Sequence, residues 1–119
     1  MSALPDPLAV RPTGPETIDR AQVVALDGAG AVVGRATLSR LYGSRGEVEL
    51  ELAPTTAVAL ALVDAIDHAA RSRGLARLEL DASGAAERVI GALRRRRTVS
   101  DERRGVRLFL TWPTTPARS

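Results

Sequence analysis

The stretch GEVELELAPTTAVALALVDAIDHAARSRG, residues 46–74, decides the fold because it joins a short alternating strand to a long apolar helix. In its first part three glutamates alternate with three apolar residues, the period of two that places charged and apolar side chains on opposite faces of a strand. These residues are Glu47, Val48, Glu49, Leu50, Glu51 and Leu52. Pro54 cannot donate a backbone hydrogen bond, so the strand ends there, and Thr55 or Thr56 can cap the following helix.

Residues 57–73 have the apolar spacing of a helix that covers a sheet. The predicted stripe consists of Val58, Leu62, Ile66 and Ala69, widened by Leu60, Val63 and Ala70. Gly74 is suited to the left-handed conformation that ends helices, and residues 75–81, LARLELD, read as the next strand. Because a long helix separates this strand from the strand at 47–52, we expect the two to run parallel through a right-handed crossover.

The composition describes one domain without cysteine chemistry. The chain has 119 residues, 45% of them hydrophobic, with no cysteine and one histidine, which excludes a disulfide framework and argues against structural zinc. All 17 basic residues are arginine, against 14 acidic residues, a usage typical of GC-rich bacterial genomes. Neither a signal peptide nor an apolar run long enough to span a membrane is present, so the sequence predicts a cytoplasmic protein.

The remaining segments complete a mixed sheet. Residues 1–20 hold four prolines and form an arm with a short extended piece near 8–11. Residues 21–26 and 31–38 read as a hairpin around 27–30, and residues 39–45 carry a second turn at Gly43 and Ser44 before the strand at 47–52. A second helix should run from 84 to about 95 after a Ser83 cap.

A closing hairpin is expected from residues 98–100 and 106–112, with DERRG, residues 101–105, as its turn. The sequence therefore predicts an α/β (α+β) domain at 21–113, with element order β-β-β-α-β-α-β-β and a tail at 114–119.

This order, together with GEVELEL at 46–52 and AARSRGLARLELDAS at 69–83, resembles the GNAT superfamily of N-acetyltransferases over about residues 21–112. The resemblance implies acetyl-CoA as cofactor and Glu47 as general base on an acceptor amine, with Glu49 as the alternate. It also implies a pyrophosphate-binding segment where the strand passes into the helix. The residues it assigns to the cofactor are Leu52, Ala53, Thr55, Thr56, Ala57, Val58 and Arg94.

The chain departs from the GNAT pattern at both substrate-positioning devices. No glycine lies between Ala53 and Ala61, where the family has Q/R-x-x-G-x-G/A, and the two helices that wall the family's acceptor pocket are missing. The last helix also offers no tyrosine for the general-acid role. We therefore favour a reduced domain with a binding or regulatory role. The alternative is an active acetyl-CoA-dependent N-acetyltransferase on an amine or a protein lysine.

Three further interpretations stay open at the level of sequence. The glutamates at 47, 49 and 51 also suit a solvated strand face. The arginines at 94–97, 103, 104 and 107 suit a solvated helix end balanced by Asp101 and Glu102, a CoA phosphate site, or nucleic acid, although no aromatic residues are interleaved for base stacking. A face left bare by the missing helices would be covered by a second copy or by the arm, so we expect a homodimer.

Overall fold

One mixed sheet organises the part of the chain that the computed structural model describes, residues 9–14, 17–52, 55–82, 87–96 and 99–114. The strands are β1 (Ala9–Pro12), β2 (Arg20–Leu26), β3 (Val32–Tyr42), β4 (Arg45–Leu52), β5 (Arg77–Asp81), β6 (Ser100–Arg104) and β7 (Arg107–Pro113), and the helices are α1 (Thr56–Ser72) and α2 (Glu87–Arg96). The spatial order is β1-β2-β3-β4-β5-β7-β6. Neither described helix is long and apolar enough to cross a membrane.

The strand pairing confirms the predicted class and topology. β2, β3 and β4 form an antiparallel meander, and β6 and β7 form the closing hairpin. β4 and β5 run parallel through α1, with Arg45–Val48 opposite Arg77–Leu80. β1 pairs antiparallel with β2, so a piece of the proline-rich arm adds an edge strand to the sheet.

The predicted turns are confirmed, but the strands beside them are longer than predicted. β3 extends to Tyr42, and its turn into β4 lies at Gly43 and Ser44, where Gly43 has a φ of 55°. The turn of the last hairpin includes Gly105, as predicted, together with Val106, whereas the first four residues of DERRG belong to β6. β6 has no apolar alternation, because ion pairs across the sheet face stabilise it instead.

The core lies between one sheet face and the two helices. The buried residues of α1 are Val58, Ala59, Leu62, Val63, Ile66, Asp67 and Ala70, which confirms most of the predicted stripe. Val89 and Leu93 of α2 join the same core. The end of the second helix agrees with the prediction, whereas the predicted cap Ser83 lies outside the described residues.

A buried carboxylate in α1 was not predicted. Trp112 of β7 is fully buried and donates its indole N–H to the Asp67 carboxylate at 3.0 Å. A buried indole requires such an acceptor, so this bond ties the last strand to the central helix. After β7, the Thr114 hydroxyl donates to the Leu75 carbonyl at 2.7 Å and fastens the chain beside the start of β5.

The opposite face of the sheet is held by an ion-pair network around Glu79, whose side chain is 1% exposed. Arg104 of β6 donates two hydrogen bonds to the Glu79 carboxylate, at 2.8 and 2.9 Å, and lies 4.4 Å from the centre of the Phe109 ring. Arg45 of β4 places its Nε 3.0 Å from Glu79 Oε1, an ion-pair contact without hydrogen-bond alignment. Glu102 bridges both arginines, so the network links β4, β5 and β6.

We expect Glu79→Gln to lower the free energy of unfolding by about 2–3 kcal/mol, since hydrogen bonds to charged groups contribute about 1.5–3 kcal/mol each and water can partly replace them. Water reaches the two arginines because the side chains of Arg45 and Arg104 are 21% and 39% exposed. Urea denaturation at pH 7 measures the change.

The matched control is Glu51→Gln on β4, because the Glu51 carboxylate and its partner Arg35 are each 40% exposed at a separation of 3.5 Å. An exposed pair of this kind should change stability by less than about 1 kcal/mol. Equal losses for the two variants would show that the Glu79 network is no more important than a surface ion pair.

Candidate functional site

The predicted base, Glu47, lies near the middle of the sheet on the face that carries no helix. Its neighbour Val48 is buried in the core beneath α1, so the alternation of the strand directs Glu47 to the other face. In the register of the sheet Glu47 is opposite Ser39 of β3 and Glu79 of β5. Glu47 is therefore adjacent to the ion-pair network around Glu79.

The surroundings of Glu47 raise the pKa of its carboxyl group above its ordinary value. Partial burial is the main cause, and the negative charges of Glu79, Glu49 and Asp81 add to it, while Arg104 acts in the opposite direction. Burial disfavours the charged form of a carboxyl group, and nearby carboxylates disfavour it further. A carboxylate with a raised pKa is a stronger base, which suits proton abstraction.

The other two glutamates of β4 are solvent-exposed. Glu49, the alternate base, lies opposite Thr37 of β3. Glu51 forms an ion pair with Arg35. The solvated-face interpretation thus describes Glu49 and Glu51, whereas the half-buried Glu47 has a different environment.

The amino end of α1 offers small residues and backbone donors. Thr55 is the N-cap, and its hydroxyl accepts a hydrogen bond from the Val58 N–H at 3.1 Å. The first-turn amides of Thr56 and Ala57 have no intrahelical acceptor, as in every helix. Thr55 and Ala57 are exposed and Thr56 is half-buried, and unbonded amides at the amino end of a helix favour anions. The first turn therefore fits a phosphate group.

The strands diverge next to this helix end. Pairing between β4 and β5 ends at Val48 and Leu80, but β4 continues to Leu52. A bulge at Glu51 bends β4 at this point, since Arg35 pairs with Leu52 and the next residue, Ala36, with Leu50. Leu52 is the last residue of β4, and Ala53 lies outside the described residues. In α/β proteins ligands bind at such carboxyl ends of parallel strands.

The structure does not bring Arg94 to this end of the sheet. Arg94 is near the carboxyl end of α2, and its guanidinium pairs with Asp101 of β6 at 2.7 Å. Because β5 runs parallel to β4, α2 begins at the same edge as α1 and extends away from it. The pairs with Asp101 and Glu102 agree with the solvated interpretation of the arginines.

Two buried acidic residues were missed from the sequence. Glu79 alternates with Leu78 and Leu80, a pattern that indicates a solvent-facing position on a strand. Only the strand order, which places β5 between β4 and β7, shows that Glu79 is enclosed by neighbouring strands. Asp67 interrupts the apolar stripe of α1. Its burial could not be predicted from the sequence, because its partner Trp112 is 45 residues further along the chain.

Comparison with known proteins identifies the fold. No protein-family model and no curated protein matches the sequence. A protein of Klebsiella pneumoniae, named as a candidate acyl-CoA N-acyltransferase, matches with a TM-score of 0.68 and 18% identity over 82% of this chain and 74% of its own. Nourseothricin acetyltransferase matches with a TM-score of 0.67 and 20% identity over 94% of this chain and 87% of its own.

A GNAT phosphinothricin acetyltransferase from Sinorhizobium meliloti, solved in complex with acetyl-CoA, matches with a TM-score of 0.65 and 21% identity over 79% of this chain. The match spans only 60% of that acetyltransferase. At these identities the likeness concerns the backbone arrangement. The chain therefore has the fold of the GNAT acyl-CoA N-acyltransferases, as its sequence resemblance predicted.

Proposed function

We propose, in place of the reduced domain favoured from the sequence alone, that the protein binds an acyl-CoA and transfers the acyl group to an amine, with Glu47 as general base. The observation that carries this proposal is the position of Glu47, half-buried beside the point where β4 and β5 diverge, with a raised pKa. An ammonium group must lose a proton before its nitrogen can act as a nucleophile. A carboxylate of increased basicity at this point can accept that proton, directly or through one water.

In this proposal the cofactor binds at the amino end of α1, and the amine approaches from the helix-free face of the sheet. The Thr56 and Ala57 amides bind the phosphate oxygens of the cofactor at the positive end of the α1 dipole. When bound, acyl-CoA supplies a thioester whose acyl carbon is open to attack by an amine. Glu47 faces the helix-free side, from which the amine approaches. The cytoplasmic location predicted from the sequence is part of this proposal.

A second candidate function is an acyl-CoA-binding domain without catalysis. It is favoured by Thr55, whose hydroxyl already accepts the Val58 N–H, and by the absence of glycine from the first turn of α1. Tyr42, the only tyrosine of the chain, ends β3 opposite Arg45 at the start of β4, whereas α1 follows the other end of β4, so Tyr42 is not placed to act as general acid there. The two candidates share cofactor binding and differ in turnover.

Acetyl-CoA binding tests both candidates. Acetyl-CoA at 100 times its dissociation constant should stabilise the protein by about 2.7 kcal/mol, which thermal unfolding detects. In the variant Ala57→Glu the new carboxylate should repel the phosphates and weaken acetyl-CoA binding about tenfold or more. The same change should not destabilise the free protein, because acidic residues are favourable in the first turn of a helix.

Ala57→Gln is the matched control, because glutamine has nearly the same size as glutamate without its charge. It should weaken binding less than Ala57→Glu if the amino end of α1 holds the phosphates. The absence of any thermal shift at millimolar acetyl-CoA would contradict both candidates. Equal affinities of the two variants would place the phosphates elsewhere.

Glu47→Gln separates the two candidates. We expect it to lower the rate of acyl transfer by about 10²–10⁴-fold, the usual contribution of a general base, with acetyl-CoA affinity unchanged. The rate of the unmodified protein should rise with pH through the Glu47 pKa, which is raised above the ordinary value of a glutamate. Detection of free CoA from acetyl-CoA and an amine measures transfer. An equally active Glu47→Gln variant would exclude Glu47 as the base.

The same variant has a predictable effect on stability. Because the folded-state pKa of Glu47 exceeds its unfolded value, the folded state holds more protons between the two values. The contribution of Glu47 to stability therefore falls as pH rises through that window. Glu47→Gln removes this pH-dependent loss. The free energy of unfolding of the variant, measured relative to that of the unmodified protein, should therefore be higher at pH 7 than at pH 4. A variant that loses more stability at pH 7 than at pH 4 would contradict the raised pKa.

A further inference from the structure

The helix-free face of the sheet is open around Glu47. Both helices join the core on the other face, so no helix or strand of the described part of the chain covers this one. The side chains beside Glu47 on this face are polar: Gln22 and Ser39 are half-buried, Glu49 is exposed and Thr37 is buried beneath its neighbours. In the register of the sheet Gln22 is opposite Thr37, Thr37 is opposite Glu49, and Ser39 is opposite Glu47.

Most carboxylates of this face are neutralised by arginines. Glu51 pairs with Arg35, Asp81 pairs with Arg107, and Glu79 pairs with two arginines of its network. Glu47 and Glu49 differ, since none of the described residues forms an ion pair or side-chain hydrogen bond with either. Two uncompensated negative charges therefore lie side by side on β4, next to neutral Thr37 and Ser39.

The spacing of these two charges matches an extended peptide. Glu47 and Glu49 are alternate residues of a strand, so their side chains leave the same face about 7 Å apart. Alternate side chains of any extended segment have the same separation. A segment with cations two residues apart can therefore place one cation on each carboxylate without changing its backbone conformation.

We infer that this face docks an extended, basic protein segment in which a lysine and a second cationic residue are separated by one residue. The inference rests on the proposed function for the fate of the lysine, whose ammonium meets Glu47 while the second cation is anchored by Glu49. Glu49 is then a positioning residue. A protein segment suits this place better than a free amine, because a flat face contacts a small molecule on one side only.

The polar character of the face also argues against a permanent homodimer through it. Obligate dimer interfaces are rich in apolar area, whereas the strands here present carboxylates, hydroxyls and amides around Glu47. Two copies meeting at β4 would in addition bring four carboxylates together. The homodimer expected from the sequence thus becomes an alternative outcome of the test.

The test measures peptide binding without acetyl-CoA, by fluorescence anisotropy at about 50 mM salt, where surface charges are weakly screened. One end-blocked peptide has the centre Lys-Ala-Lys between serine and glycine residues, and its control has the same composition with the centre Lys-Lys-Ala. We expect the first peptide to bind about three- to fivefold more tightly. Glu49→Gln should remove most of this difference, whereas Glu51→Gln should keep it.

Several results would overturn the inference. These are equal affinities of the two peptides, a preference that survives Glu49→Gln, and equal binding by the isolated amine N-acetyl-lysine methylamide. A further one is a dimer in sedimentation that the peptide does not dissociate. If neither peptide binds while acetyl-CoA still stabilises the protein, only the docking inference fails. Spacing-selective peptide binding without an acetyl-CoA shift supports the docking surface and contradicts the proposed transfer.

Discussion

The burial of one carboxylate, Glu79, is the constraint on which the helix-free half of this protein depends. A buried charge is stable only when it is paired, and Arg104 and Arg45 reach Glu79 from strands on either side. This requirement draws the charged strand β6 into the sheet. It also leaves a sheet face on which ion pairs connect β4, β5 and β6.

The same constraint shapes the environment of Glu47. Partial burial is the main cause of the raised pKa of Glu47, and the negative charge of the neighbouring Glu79 adds to it. The side chains that stabilise the sheet around Glu79 therefore also affect the pKa of Glu47. The arginines stabilise the fold, and the carboxylate that they enclose increases the basicity of the residue beside it.

Because one face of the sheet is open, the absence of the acceptor-wall helices has different consequences for a small acceptor and for a protein acceptor. In an enclosed pocket such walls hold a small acceptor, and without them positioning would be lost. An acceptor that belongs to a protein brings its own surface and needs only a place to dock. In our proposal Glu47 and Glu49, with which no described residue forms an ion pair, provide such a place, and the first turn of α1 binds the cofactor.

The sequence by itself determined the elements that local periodicity controls. The alternation at 47–52, Pro54 and the stripe from Val58 to Ala70 predicted β4, the crossover and α1, because each of these signals acts over a few residues. Glu47 was identified as a candidate from the same stretch. Only the tertiary structure decided the burial and the raised pKa of Glu47 and the position of β6 in the sheet, because these depend on contacts between residues that are distant in the sequence. Arg104 and Glu79 are 25 residues apart, and Trp112 and Asp67 are 45 apart, distances at which sequence spacing carries no signal.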